Sequence, residues 1–166
     1  AEIAIKAALT GHLVLSTLHT NDAPTTITRL VNMGIAPFLV ASSVIMIVAQ
    51  RLVRTICPYC KTEESFSYKT LIEIGFTPEE AKDVKTYVGK GCKKCNNTGC
   101  RGRIGIYEVM PLRENLKELI LQGANALELK KEAVKSGMIT LRRSGLNKIK
   151  EGIVSVSEVL HATFED

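Results

Sequence analysis

Two cysteine pairs, Cys57-Pro58-Tyr59-Cys60 and Cys92-Lys93-Lys94-Cys95, carry the clearest chemistry in the sequence. The two-residue spacing lets both thiolates of a pair turn inward on one tight knuckle, and two knuckles complete a tetrahedron of sulfur around one metal ion. Four thiolates suit Zn²⁺ and leave no open coordination position, so the expected metal holds shape and performs no chemistry. The pairs stand 31 residues apart, more than a zinc ribbon usually spans. The stretch between them therefore reads as a small inserted subdomain stapled at its ends, with Pro58, Gly91 and Gly99 supplying turns. Cys100 fits neither knuckle and is expected to pack as a small apolar side chain.

A second constellation lies near the amino terminus. Residues 12–18, HLVLSTL, form a short continuous apolar run after Gly11, the pattern of a strand buried on both faces. Ligands of open α/β sheets sit at the carboxyl ends of strands, where Thr17, His19 and Thr20 would emerge. Hydroxyl and imidazole donors placed there can hold a phosphate or its attacking water by fixed electrostatics. His12 falls at the opposite end of the same strand and cannot reach the same atom from there. Spacing alone leaves a packing role for either histidine open. No G-x-x-x-x-G-K-[ST] phosphate loop occurs in the sequence.

The elements that must position these residues follow from periodicity and caps. A helix is expected over Glu2 to Leu9. Asn21 or Asp22 can cap a second, with Pro24 in its first turn, Ile27, Leu30 and Val31 at helical spacing, and Gly34 as its stop. The apolar run from Pro37 to Gln50 reads as a buried helix and is too short to span a bilayer. Leu52–Ile56 and Arg103–Met110 read as strands. Thr77-Pro78-Glu79-Glu80 is a capping box opening a short helix. After Pro111 only helices are expected: one with Leu116, Leu119 and Ile120 inward, one with Leu127, Lys130 and Val134, and one with Leu141, Gly145, Leu146 and Ile149. A last one is capped by the box Ser155-Val156-Ser157-Glu158.

The chain has 166 residues with 45% apolar content, enough for one real core and a small satellite. Its net charge of +5 is mild, and a solvated basic face explains it without a nucleic-acid partner. Five cysteines without a signal-peptide pattern point to a reducing cytoplasm rather than a disulfide framework. The chain opens on Ala1 inside a helical pattern and is expected to be a piece of a longer protein.

The string ALTGHLVLSTLHTN, Ala8 to Asn21, resembles the histidine box of the secretion ATPase superfamily, the motors of type II secretion and type IV pili. The resemblance runs on through ITRL, Ile27 to Leu30, MGIAPFL, Met33 to Leu39, and AQRLVR, Ala49 to Arg54. Both cysteine pairs follow, then RGRIGIYE, Arg101 to Glu108, and the tail at Gly137-Met138, Thr140-Leu141-Arg142 and Glu158-Val159. The cysteine insert, NDAPTT from Asn21 to Thr26 and EVMP from Glu108 to Pro111 are most similar to the pilus-assembly (extension) ATPases. The resemblance implies an α/β fold: the second half of a RecA-like P-loop ATPase domain with a zinc-binding insert and an all-helical tail. It implies three segments: residues 1–56 with the histidine box, 57–102 with the zinc, and 103–166 as strand plus helices.

By the same resemblance His19 approaches the γ-phosphate of ATP, His12 acts with it, and Thr17 and Thr20 flank the site. Cys57, Cys60, Cys92 and Cys95 match the zinc ligands one by one, whereas Cys100 stands where an aromatic residue is common. The implied whole protein is a cytoplasmic homo-hexamer, peripheral to the inner membrane without a transmembrane segment. It would use ATP and Mg²⁺ and act on a membrane platform protein, with no nucleic acid. The family's phosphate loop and acidic motifs would precede Ala1, so this chain alone is expected to be inactive. A type II secretion motor is the near alternative, and a zinc-stabilised interaction or RNA-binding module is the alternative of another class.

Overall fold

The computed structural model describes residues 1–163. They form two compact units, each assembled from two separate stretches of chain. The first unit joins Ala1–Ala49 to Glu108–Thr140, and the second joins Gln50–Tyr107 to the stretch that begins at Leu141. Among the described residues no helix is long and apolar enough to cross a membrane.

The first unit is helical. Helix α1 (Glu2–Leu9) carries a Glu2–Lys6 pair one turn apart and buries Ile5. In α2 (Ala23–Asn32) the Asp22 carboxylate accepts the Thr25 N–H at 2.8 Å, with proline in the first turn, as the capping pattern requires. Helix α3 (Pro37–Ser43) is shorter than its apolar run predicts. Ser42 and Ser43 turn their hydroxyls back onto the carbonyls of Phe38 and Leu39, and the chain then enters strand β1 (Met46–Ile56). The β-branched residues beyond Ser43 suit a strand, and pairing with β4 (Cys100–Pro111) supplies the partner that periodicity cannot reveal. Both strands are longer than expected.

Helices α6 (Glu114–Leu121) and α7 (Ala126–Lys135) complete this unit. Helix α6 packs on α3, and α7 packs on α2 and α6. Leu116 and Ile120 are buried as expected. The expected face of α7 is wrong: Leu127 and Val134 are exposed, while Leu129 and Ala133 point inward. The reciprocal cap from Asn125 and Glu128 starts α7 one residue past Asn125.

The expected strand over 12–18 is also absent. These residues form no regular element and pair with no strand, with Leu13 78% and Leu15 89% exposed. A strand persists only when neighbours take up its backbone hydrogen bonds, and the described sheets pair only β1 with β4 and β2 (Lys61–Glu64) with β3 (Thr86–Gly89).

In the second unit, β2 and β3 run antiparallel from Lys61 opposite Gly89 to Glu64 opposite Thr86. Between them lie α4 (Tyr68–Ile74), which buries Leu71 and Ile74, and the single turn α5 (Glu80–Asp83). The predicted capping box is present: the Glu80 carboxylate accepts the Thr77 N–H and the Glu80 N–H donates to the Thr77 hydroxyl. Helices α8 (Leu141–Lys150) and α9 (Val156–Ala162) pack on each other where Gly145 meets Val159, so close that a Cβ at 145 would lie 2.4 Å from a Val159 methyl. Leu141, Leu146 and Ile149 are buried with it. The box expected at Ser155–Glu158 does not form. The Ser155 hydroxyl meets Ser157, and Glu158 is drawn away by Arg54, whose Nε donates to it at 3.0 Å and whose backbone N–H donates at 3.1 Å.

Glu80 also joins the insert to α8. Its carboxylate takes both guanidinium arms of Arg143 and the Lys150 ammonium at 2.7 Å. Arg143 above all, then Lys150, hold its carboxyl well below the usual carboxylate range against the opposing effect of burial. A carboxyl depressed in the folded state contributes stability above its ordinary value of 4.5 and loses it as the pH falls toward the folded value. Glu80→Gln should therefore melt below the parent at neutral pH, and the gap should close as the pH drops beneath 4.5. Thermal melts that keep a constant gap across this range would show that the pair contributes nothing through ionisation.

Candidate functional site

The cysteine centre is built by three short elements of the second unit. The first knuckle, 57–60, runs directly into β2, and β3 delivers the chain to the second, 92–95, so one antiparallel pair closes the long gap between the cysteines. The Cys57 N–H donates to the Gly99 carbonyl at 2.9 Å and the Lys90 N–H to the Cys60 carbonyl at 3.1 Å. A single 3-10 turn (Lys93–Cys95) forms the second knuckle, followed by Asn96 and Asn97 with φ of 51° and 60°. Asparagine tolerates this left-handed backbone better than other residues with a Cβ. The turn lets the Asn97 N–H return to the Cys92 carbonyl at 2.9 Å.

The result is four Sγ atoms within 4.8 Å of one another, with Cys57–Cys92 and Cys60–Cys95 both at 3.9 Å and Cys92–Cys95 at 3.7 Å. Sulfurs about 2.3 Å from a central Zn²⁺ make a tetrahedron with edges of about 3.8 Å. The cluster fits a tetrahedral thiolate-bound ion, and Cys57 and Cys95 are buried. Burial pushes the Cys60 thiol up to about 12. Burial also opposes charge on Cys95, but the amides of Cys92 and Gly99 outweigh it and bring that thiol down to about 6. A bound cation would favour the thiolate at every position. Outside the knuckles, the Lys94 ammonium lies 3.7 Å from the exposed Tyr59 ring.

Cys100 stands apart from the four, half-buried at the start of β4, and burial raises its thiol above the ordinary value.

The histidine segment is held differently. His12, Thr17 and His19 are exposed, and Thr10 shares a 3.0 Å hydrogen bond with the His12 ring. Among the described residues no hydrogen bond or ion pair joins His12 to His19. Thr20 is half-buried and shares a 2.7 Å hydrogen bond with Thr26 on α2, whose hydroxyl also donates to the Asp22 carbonyl at 3.2 Å. Asp22 in turn lies 3.6 Å from the Lys130 ammonium. Thus Thr20 is anchored while His19, its neighbour, stays open to solvent.

Sequence reasoning passed over Glu108, whose carboxylate is 0% exposed and accepts the Ala23 N–H at 2.8 Å. A signal existed: Ile106, Glu108 and Met110 share one face of β4, so a charge sits on a buried apolar row.

The family profile described as Type II/IV secretion system protein matches residues 1–161. The type IV pilus assembly ATPase PilB of Myxococcus xanthus is 53% identical over the whole chain, which spans 30% of that protein. The type II secretion system protein E of Aeromonas hydrophila is 42% identical, again over the whole chain and 32% of the relative. Among solved structures, the pilus retraction motor PilT with bound ADP matches 97% of the chain and 35% of its own length, at a TM-score of 0.62 and 22% identity. That likeness shows the fold, an α/β arrangement of the RecA-like kind. The chain spans about a third or less of the relatives it matches.

Proposed function

Because the chain belongs to the Type II/IV secretion system protein family, we propose that it is the carboxy-terminal part of a hexameric ATPase that powers type IV pilus assembly. The observation that carries this reading is its 53% identity, along the entire chain, to a pilus assembly ATPase. The 42% identity to a type II secretion protein supports a second reading, the same motor with secreted protein as its cargo. A gene disruption that removes pili and spares secretion favours the first, and the reverse phenotype overturns it.

In this reading residues 1–56 belong to the motor core, 57–102 form the metal-stapled insert, and 103–166 add a strand and a helical tail. The whole motor works in the cytoplasm against a platform protein of the inner membrane. Cys57, Cys60, Cys92 and Cys95 hold a structural Zn²⁺, supported by sulfur spacings that match a thiolate tetrahedron. His19 donates a hydrogen bond to the γ-phosphate of Mg²⁺-bound ATP, with His12, Thr17 and Thr20 around it. The exposure of His19 beside an anchored Thr20 supports this role, since a group that meets a ligand must be both accessible and held in place.

In the full-length motor, His19→Ala should lower kcat for ATP about 100-fold, the scale of one lost electrostatic donor. This chain alone, which contains no phosphate loop, should not hydrolyse ATP. Saturable turnover by the isolated chain, abolished in His19→Ala, would overturn the assignment of the missing parts.

A further inference from the structure

A buried carboxylate is expensive, and replacement by a well-packed apolar side chain usually costs little or even stabilises, so Glu108 calls for a reason beyond packing. A hydrogen bond supplies one. The Glu108 Oε1 accepts the first backbone N–H of α2, from Ala23, 85 residues away in sequence and fully buried. That amide is one of the orphan donors at a helix start, where a carboxylate is electrostatically favoured. The neighbouring Asp22 already caps the same helix locally through the Thr25 N–H. Helix initiation alone does not need a second carboxylate brought in from a distant strand.

The position of Ala23 explains what the second one does. Ala23 follows directly on the loop of His19, Thr20, Asn21 and Asp22. Further ties of the loop, Thr20 to Thr26 and Asp22 to Thr25 and Lys130, run to α2 and α7. These ties fix the loop to its helix, and Glu108 fixes the start of that helix to β4.

We infer that Glu108 is a positioning residue for the histidine loop: its carboxylate pins the first turn of α2 to β4 and so sets where His19 stands. The inference rests on the proposed role of His19 at the γ-phosphate. A misplacement of about 1 Å in such a group costs on the order of 100-fold in rate. Loss of the Glu108 hold should therefore reach ATP turnover without any contact between Glu108 and nucleotide.

The test uses the full-length motor with Glu108→Met, which keeps the volume and removes the acceptor, and Glu108→Gln, which keeps an acceptor oxygen. ATP turnover, nucleotide binding and amide exchange at Ala23 are measured, together with His19→Ala and the His19→Ala/Glu108→Met double variant. Expected for Glu108→Met are a fall of about 10- to 100-fold in kcat, unchanged nucleotide Kd, faster exchange at Ala23, and no further loss when added to His19→Ala. Glu108→Gln should recover most of the turnover. Unchanged exchange in Glu108→Met, or losses that multiply in the double variant, would reduce Glu108 to an ordinary structural residue. If His19→Ala turns over normally, the histidine-loop role itself fails and the catalytic part of this inference falls with it. Faster exchange at Ala23 would then show that the hold exists but serves no rate.

Discussion

Cys92→Ser will empty the thiolate cluster of its metal and loosen residues 57–102, while the helices of the first unit keep their structure. Cys92 has two close sulfur neighbours in the cluster, Cys95 at 3.7 Å and Cys57 at 3.9 Å. Its backbone also forms the second knuckle: its N–H donates to the Cys95 sulfur at 3.2 Å, and its carbonyl accepts from Asn97. A serine oxygen is a harder, weaker ligand for Zn²⁺ than a thiolate, and three sulfurs do not close a structural site. Metal binding in such modules stabilises folding on the order of 10 kcal/mol, more than β2, β3 and two short helices can replace. Elemental analysis should find about one zinc per chain in the parent protein and none in the variant. Amide exchange should rise across 57–102 and stay protected in α2 and α7. Full metal content in Cys92→Ser would refute the four-thiolate site.

Gly99→Ala should destabilise the second unit by about 3 to 5 kcal/mol, the sum of a backbone clash and a left-handed conformation. Gly99 has φ of +73°, and a Cβ there would lie 2.2 Å from the Gly89 carbonyl oxygen. A Cβ at Gly89 would in turn lie 2.0 Å from the Gly99 oxygen. Two backbones touch here with no room for a side chain on either. The contact matters because the Gly99 carbonyl accepts the Cys57 N–H and Gly89 ends the strand that delivers Cys92. Gly123 is the control: its φ is +77°, but nothing lies within 4 Å of an added Cβ. Gly123→Ala should cost about 1 to 2 kcal/mol from backbone strain alone. Chemical denaturation of the two variants side by side measures the difference. Equal costs would mean that the close approach at Gly89 relaxes freely and strain is the whole effect.

The four-cysteine cluster was legible in the sequence because residue identity and two-residue spacing are local properties. Thiolates two residues apart face one point whatever surrounds them, and the structure brings all four together. Caps were legible for the same reason where the partner lay three residues away, as at Asp22 and at Thr77 with Glu80. The box at Ser155 failed because its glutamate had a stronger, distant partner in Arg54, whose guanidinium and backbone both donate to it. A charged fork outbids a local amide, and sequence distance hides the fork.

The apolar runs show the limit most sharply. Composition established that Pro37–Gln50 and residues 12–18 are rich in apolar side chains, and it could not say what they meet. One run divides into a helix and a strand because β4 lies alongside its second half. The other forms no strand, with Leu13 and Leu15 exposed, because the described strands leave it unpaired. The sequence by itself determined the ligand set, the short-range caps and the family. Only the tertiary structure decided which glycines carry a backbone contact, that Glu80 and Glu158 hold distant elements, and that Glu108 reaches the start of α2. These depend on groups separated by tens of residues, and a hydrogen bond or a steric contact acts over a few ångströms of space, whatever the distance along the chain.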